Sequence, residues 1–85
     1  MDSREEIAAF IRQKVAAFKA MNLSSVDMDA RLIEDIRLIG DDFSEIDYLL
    51  TKKYGVQTYD ADYHRGMSIK DWADIIFEKS ANKPS

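Results

Sequence analysis

The chain has 85 residues, 46% hydrophobic and 33% charged, a balance that allows one compact domain with a modest core and excludes wholesale disorder. It contains no cysteine, so disulfides, cysteine-ligated zinc and thiol nucleophiles are excluded together, and a cytoplasmic location is expected. Sixteen acids against twelve Lys and Arg give a net charge of −4, which opposes non-specific attraction to nucleic acid or an anionic membrane and suits a basic protein partner. No apolar run approaches the ~20 residues that cross a bilayer, and the N-terminus is charged from its second residue, so neither membrane insertion nor a visible export signal is expected.

Ser3 followed by Glu6 is a capping-box pattern, and behind it Ile7, Phe10, Ile11, Val15, Phe18 and Met21 recur at helical spacing. The spacing predicts an amphipathic helix over residues 4–21, with Asn22 as its stop. Residues 22–41 mix small polar residues with Leu23, Val26, Met28, Leu32, Ile33, Ile36 and Ile39. They read as a long loop pinned across the bundle by those apolar side chains, with room for a short helical turn near Ala30 to Asp35.

Asp42 and Glu45 repeat the capping logic, with Asp42 as N-cap. Phe43, Ile46, Leu49, Leu50 and Tyr54 form one stripe, and Gly55 occupies the left-handed stop position, so a second helix is expected over 43–54. Val56, Tyr59 and Tyr63 suffice for one short third helix. Ser68 with Asp71 opens the last one, where Ile69, Trp72, Ala73, Ile76 and Phe77 face inward, and it fades near Lys79. The expected architecture is all-α: a four-helix bundle with a long first loop and a short third helix, one domain over 1–80 and a flexible tail at 81–85.

"EDIRLIGDDFSEIDYLLTKKYGV", Glu34 to Val56, resembles the acyl carrier proteins, in which an acidic E-D-L segment leads into D-S-L and an amphipathic helix ending in an aromatic residue. "MSIKDWADII", Met67 to Ile76, is similar to that family's closing helix, and a group of small bacterial carrier-like proteins shares G-D-D at the same point. The resemblance implies a four-helix bundle whose D-S-L serine carries a 4′-phosphopantetheine arm. Matching Phe43 to the leucine of that motif puts Asp42 on the serine and Asp41 on the preceding aspartate.

Arm transfer requires a hydroxyl oxygen to attack the pyrophosphate of coenzyme A and form a stable phosphodiester, whereas a carboxylate would form a labile acyl phosphate. The degenerate site therefore implies no prosthetic arm, with Asp42 either a simple helix cap or a fixed negative charge in the place of the phosphodiester. The alternative is an atypical acyl or peptidyl carrier with its 4′-phosphopantetheine on Ser44, the nearby hydroxyl, or on another serine. Asp41, Asp42, Glu45 and Asp47 are either a solvated face or, as the resemblance implies, a docking surface for the basic patch of a partner enzyme, for example one of fatty-acid or related acyl metabolism. Lys52 and Lys53 interrupt that acidity toward the helix end.

Three other readings are weaker. "LLTKKYGVQTYDADYH" has the outline of a helix-turn-helix reader, but its second helix would turn Asp60 and Asp62 toward phosphates. Asp60, Asp62 and His64 alternate along the chain and do not converge on one side of a helix, so no metal is expected there. No nucleophile, base and orienting group can be assembled, and no glycine-rich phosphate loop exists among three glycines, so no catalysis is expected.

Overall fold

A computed structural model of the chain describes residues 3–56 and 67–81. In chain order these form α1, Arg4–Phe18; a single 3-10 turn, Leu23–Ser25; α2, Gly40–Tyr54; and α3, Ile69–Ala81. Among the described residues the structure is helical and has no strand, only an isolated antiparallel bridge between Arg31 and Ser68. The short helix expected beyond Val56, and with it Asp60, Asp62 and His64, lies outside the described residues.

The starts of all three helices and the ends of α1 and α2 are closed by nearby residues. The Ser3 hydroxyl accepts from the Glu6 N–H at 3.2 Å, satisfying one of the orphan donors of α1. The end of α1 differs from the expected one: it stops at Phe18, three residues early, because Ala20 turns left-handed at φ 52. Met21 N–H then reaches the Ala16 carbonyl at 2.9 Å and Ala20 N–H reaches that of Ala17 at 3.4 Å, the paired bonds of a Schellman stop. Phe18 and Met21, expected on the inner stripe, are consequently 42% and 37% exposed.

The start of α2 also differs. The helix begins at Gly40, with Ile39 as the N-cap and Asp42 at the third helical position. Asp42 still caps the helix, but backwards: its carboxylate accepts from the Ile39 N–H at 3.2 Å. The other end is as the sequence predicts, with Gly55 at φ 73 donating to the Thr51 carbonyl. In α3 the capping box is reciprocal: Asp71 N–H donates to Ser68 Oγ at 3.2 Å, and Ser68 N–H to Asp71 Oδ2 at 3.0 Å. The helix runs on to Ala81 rather than fading at Lys79.

The core is built where the apolar stripes meet. Ile7, Ile11 and Val15 of α1, Ile46 and Leu50 of α2, and Ile69, Trp72 and Ile76 of α3 are fully buried, and α1 packs chiefly against α3. Phe43 lies against Trp72, ring centroids 5.5 Å apart.

Residues 26–38 form the pinned loop, and its backbone is as engaged as its side chains. Leu32 N–H donates to the Met67 carbonyl at 2.8 Å, Leu38 N–H to that of Leu32 at 2.9 Å, and Lys70 N–H to that of Met28 at 3.2 Å. Arg12 fastens the near end, donating from Nε to the Val26 carbonyl and from Nη2 to that of Leu23, both at 2.7 Å. Near Ala30 to Asp35 a single turn forms, its Asp35 and Ile36 amides both donating to the Arg31 carbonyl. Val26, Leu32 and Ile36 are buried as expected, and so is Leu38. Leu23, Ile33 and Ile39, expected to pin the loop, are exposed instead.

Candidate functional site

The residues singled out from sequence all lie on α2, which leaves the loop at Ile39 with its first turn toward the end of α1. At 3.6 residues per turn, positions 41, 44, 45, 48 and 52 share the side opposite Ile46, Leu50 and Tyr54, which enter the core. Asp41, Ser44, Glu45, Tyr48 and Lys52 are accordingly exposed. Tyr48 is 58% exposed although aromatic, its ring covered in part by the Lys52 ammonium 5.5 Å from the centroid. Ile39, the N-cap, adds a second uncovered apolar side chain at 61%.

The four acids do not form one surface. Asp41 and Glu45 lie on the outer side, but Asp42 and Asp47 are half-buried on opposite flanks of the helix. Asp42 turns toward α1, where the Lys19 ammonium stands 3.8 Å from its Oδ2. Lys19 also donates to the Arg37 carbonyl at 3.3 Å, so one ammonium joins α1, the left-handed Arg37 (φ 65) and the first turn of α2. Acids in the first turn of α2 and Lys52 and Lys53 in the last both oppose the helix dipole.

The Asp42 carboxylate is therefore a cap and an ion-pair partner at once. Ser44, two residues on, is exposed at the mouth of a shallow hollow of about 310 Å³ shared with Asp47, Tyr48 and Thr51. The Thr51 hydroxyl does not compete for that space, since it donates back to the Asp47 carbonyl at 2.9 Å. A phosphodiester-linked arm requires a hydroxyl, which Ser44 has and exposes, whereas Asp42 presents a carboxylate already engaged with the Ile39 N–H and Lys19.

Sequence reasoning missed Lys19 as the partner of Asp42 and the exposure of Ile39 and Tyr48. The first had no local signal, because the pair is 23 positions apart in the chain. Tyr48 was legible: it falls outside the stripe of Ile46, Leu50 and Tyr54. Among the described residues no helix is long and apolar enough to cross a membrane. No protein-family model matches the sequence, and no curated protein matches it either.

Proposed function

We propose that the chain is a non-enzymatic, acyl-carrier-like four-helix bundle that has lost its prosthetic arm and acts by docking a partner protein on the outer side of α2. The observation that carries this reading is the engagement of Asp42: at the position matched to the carrier serine stands a carboxylate, only 20% exposed, that holds the Ile39 N–H and pairs with Lys19. A residue so placed maintains the scaffold and offers no oxygen for a phosphodiester. The outer side leaves Asp41, Glu45 and Tyr48 accessible, with the uncovered Ile39 at the helix start, so charged and apolar contact groups are both available to a partner. The partner that fits is a protein presenting a basic patch, and the carrier resemblance points to an enzyme of acyl metabolism.

The second reading, a working carrier armed at Ser44, is favoured by the exposure of that hydroxyl on the same outer side. Incubation with coenzyme A and a broad-specificity phosphopantetheinyl transferase, followed by intact-mass measurement and peptide mapping, separates the two. An unchanged mass is expected, and an added arm on Ser44 would replace the first reading by the second. For the docking surface, a basic protein captured by the chain and then purified should lose binding to Asp41→Lys with Glu45→Lys and keep it with Asp29→Lys. Equal binding by all three would remove α2 as the contact.

A further inference from the structure

At the other end of α2 the charge is reversed. Phe10, in the middle of α1, meets Tyr54 edge-on with ring centroids 5.9 Å apart. Two ammonium groups converge on the Phe10 ring, Lys14 Nζ at 5.2 Å from its centroid and Lys53 Nζ at 5.4 Å, and Lys53 also stands 5.7 Å from the Tyr54 ring. Among the described residues neither lysine is ion-paired with a carboxylate. A ring face attracts a cation by about 0.5–1 kcal/mol at an exposed site but leaves its charge in place. In a chain of net charge −4, two like charges on one ring make a local concentration of positive charge.

Beside them runs a groove of about 410 Å³, open to solvent, floored by Ala9, Phe10, Leu23 and Tyr54 and walled by Arg12 and Lys53. Leu23 is 47% exposed, Ala9 is exposed and Phe10 half-buried, so these supply the accessible apolar floor, with Tyr54 buried beneath it. Arg12 is rigid, fixed by its bonds to the Leu23 and Val26 carbonyls, and two of its five donors are used by them. One acid, Glu6, also lines the groove, against the two cations Arg12 and Lys53, with Lys14 adjoining over the Phe10 ring. The depression between α1 and α3 differs in kind: its Arg4 is paired with Asp74 at 3.1 Å and its Lys70 with Asp29 at 3.6 Å, so its cations are already matched.

We propose that the Phe10–Tyr54 groove docks a short acidic peptide segment of another protein, one aromatic or branched aliphatic side chain lying on Phe10, Leu23 and Tyr54 and flanking carboxylates meeting Lys14 and Lys53. The apolar floor selects against a bare anion, and the unmatched cations select against a neutral peptide. The groove volume suits one large side chain with its neighbours. This contact is separate from the outer side of α2 at Asp41 and Glu45 and stands whether or not that side docks a partner.

The test is a titration of the full ¹⁵N-labelled chain with a blocked pentapeptide, Asp-Glu-Phe-Glu-Asp, at low and high salt, beside its neutral analogue Asn-Gln-Phe-Gln-Asn and inorganic phosphate. Saturable amide shifts are expected around Phe10, Lys14, Leu23 and Lys53, with binding weakened by salt and absent for the neutral peptide. Lys14→Gln with Lys53→Gln should weaken it by several-fold to about thirtyfold, from up to ~1 kcal/mol for each exposed charge pair, with an unchanged thermal midpoint showing that the fold is kept. Phosphate binding as strongly as the peptide would leave only an anion site and overturn the proposal. So would shifts mapping elsewhere, no saturation at millimolar peptide, or indifference to the double substitution. Concentration-dependent shifts of the chain alone, at these residues together with Asp41 and Glu45, would make a second copy the occupant and equally overturn it.

Discussion

Lys19 Nζ lies 3.8 Å from Asp42 Oδ2, and through that contact the C-cap residue of α1 meets the first turn of α2. The same carboxylate accepts from the Ile39 N–H, so Asp42 serves the helix start and the joint between helices together. Removing it should cost about 1 kcal/mol through the cap, plus a fraction of that for the long, partly exposed ion pair. Asp42→Asn, which keeps an acceptor oxygen and loses only the charge, should cost less than Asp42→Ala. Urea unfolding of both variants gives the comparison, and equal losses would mean that the cap contributes nothing.

Asp42→Ser tests the matching of this chain to the carrier pattern in a different way. It places a hydroxyl where the resemblance expects one, at the first turn of an amphipathic helix whose other apolar positions are unchanged. If the matching is right, the variant should gain the mass of one arm on incubation with coenzyme A and a broad-specificity transferase, while the natural chain does not. Absence of modification in both, with the variant folded, would count against position 42 as the equivalent site.

Ala20 is a second point of leverage. An L-residue in the left-handed region is disfavoured by roughly 1–2 kcal/mol, and Ala20 sits there at φ 52 because the Schellman bonds of Met21 and Ala20 close α1. Ala20→Gly should remove that cost, offset in part by the greater freedom of glycine in the unfolded chain, for a net gain of about 0.5–1 kcal/mol. In a domain of this size that is a rise of a few degrees in Tm, visible by circular dichroism. A fall in Tm would show that the left-handed turn is absent in solution.

Trp72 is fully buried and packs on Phe43 in the middle of the core. Trp72→Ala should cost about 3–5 kcal/mol, against a total stability on the order of 4–13 kcal/mol for a chain this long. The variant should be partly or largely unfolded at room temperature. As the sole tryptophan, Trp72 also reports the unfolding of the natural chain by its emission, which should shift red as the core opens.

Loop residues 26–38 should exchange amide hydrogens unevenly. Leu32 and Leu38 donate to backbone carbonyls and have buried side chains, so their amides should be protected well beyond that of the exposed Ile33. Uniformly fast exchange along this stretch would show that it is not pinned to Met67 and α3.

Local chemistry carried much of this structure into the sequence. The Ser3 cap, the reciprocal Ser68–Asp71 box, the left-handed Gly55 and the stripe through Ile46, Leu50 and Tyr54 all depend on residues within four positions of one another, and each is present where the spacing predicts. The burial of Trp72, Ile69 and Ile76 follows from the same short-range periodicity.

What the sequence alone left undecided depends on partners distant along the chain. Asp is equally at home as an N-cap or three residues inside a helix; α2 starts at Gly40 rather than Phe43 where Lys19, distant along the chain, meets both Asp42 and the Arg37 carbonyl. Likewise Leu38 is buried and Ile39 is not, although both are apolar and adjacent, because only one of two successive extended residues can face the core. Helical periodicity places Asp41 and Glu45 outward and Asp42 and Asp47 on the flanks, but only tertiary packing brings Lys53 of α2 beside Lys14 onto the Phe10 ring of α1.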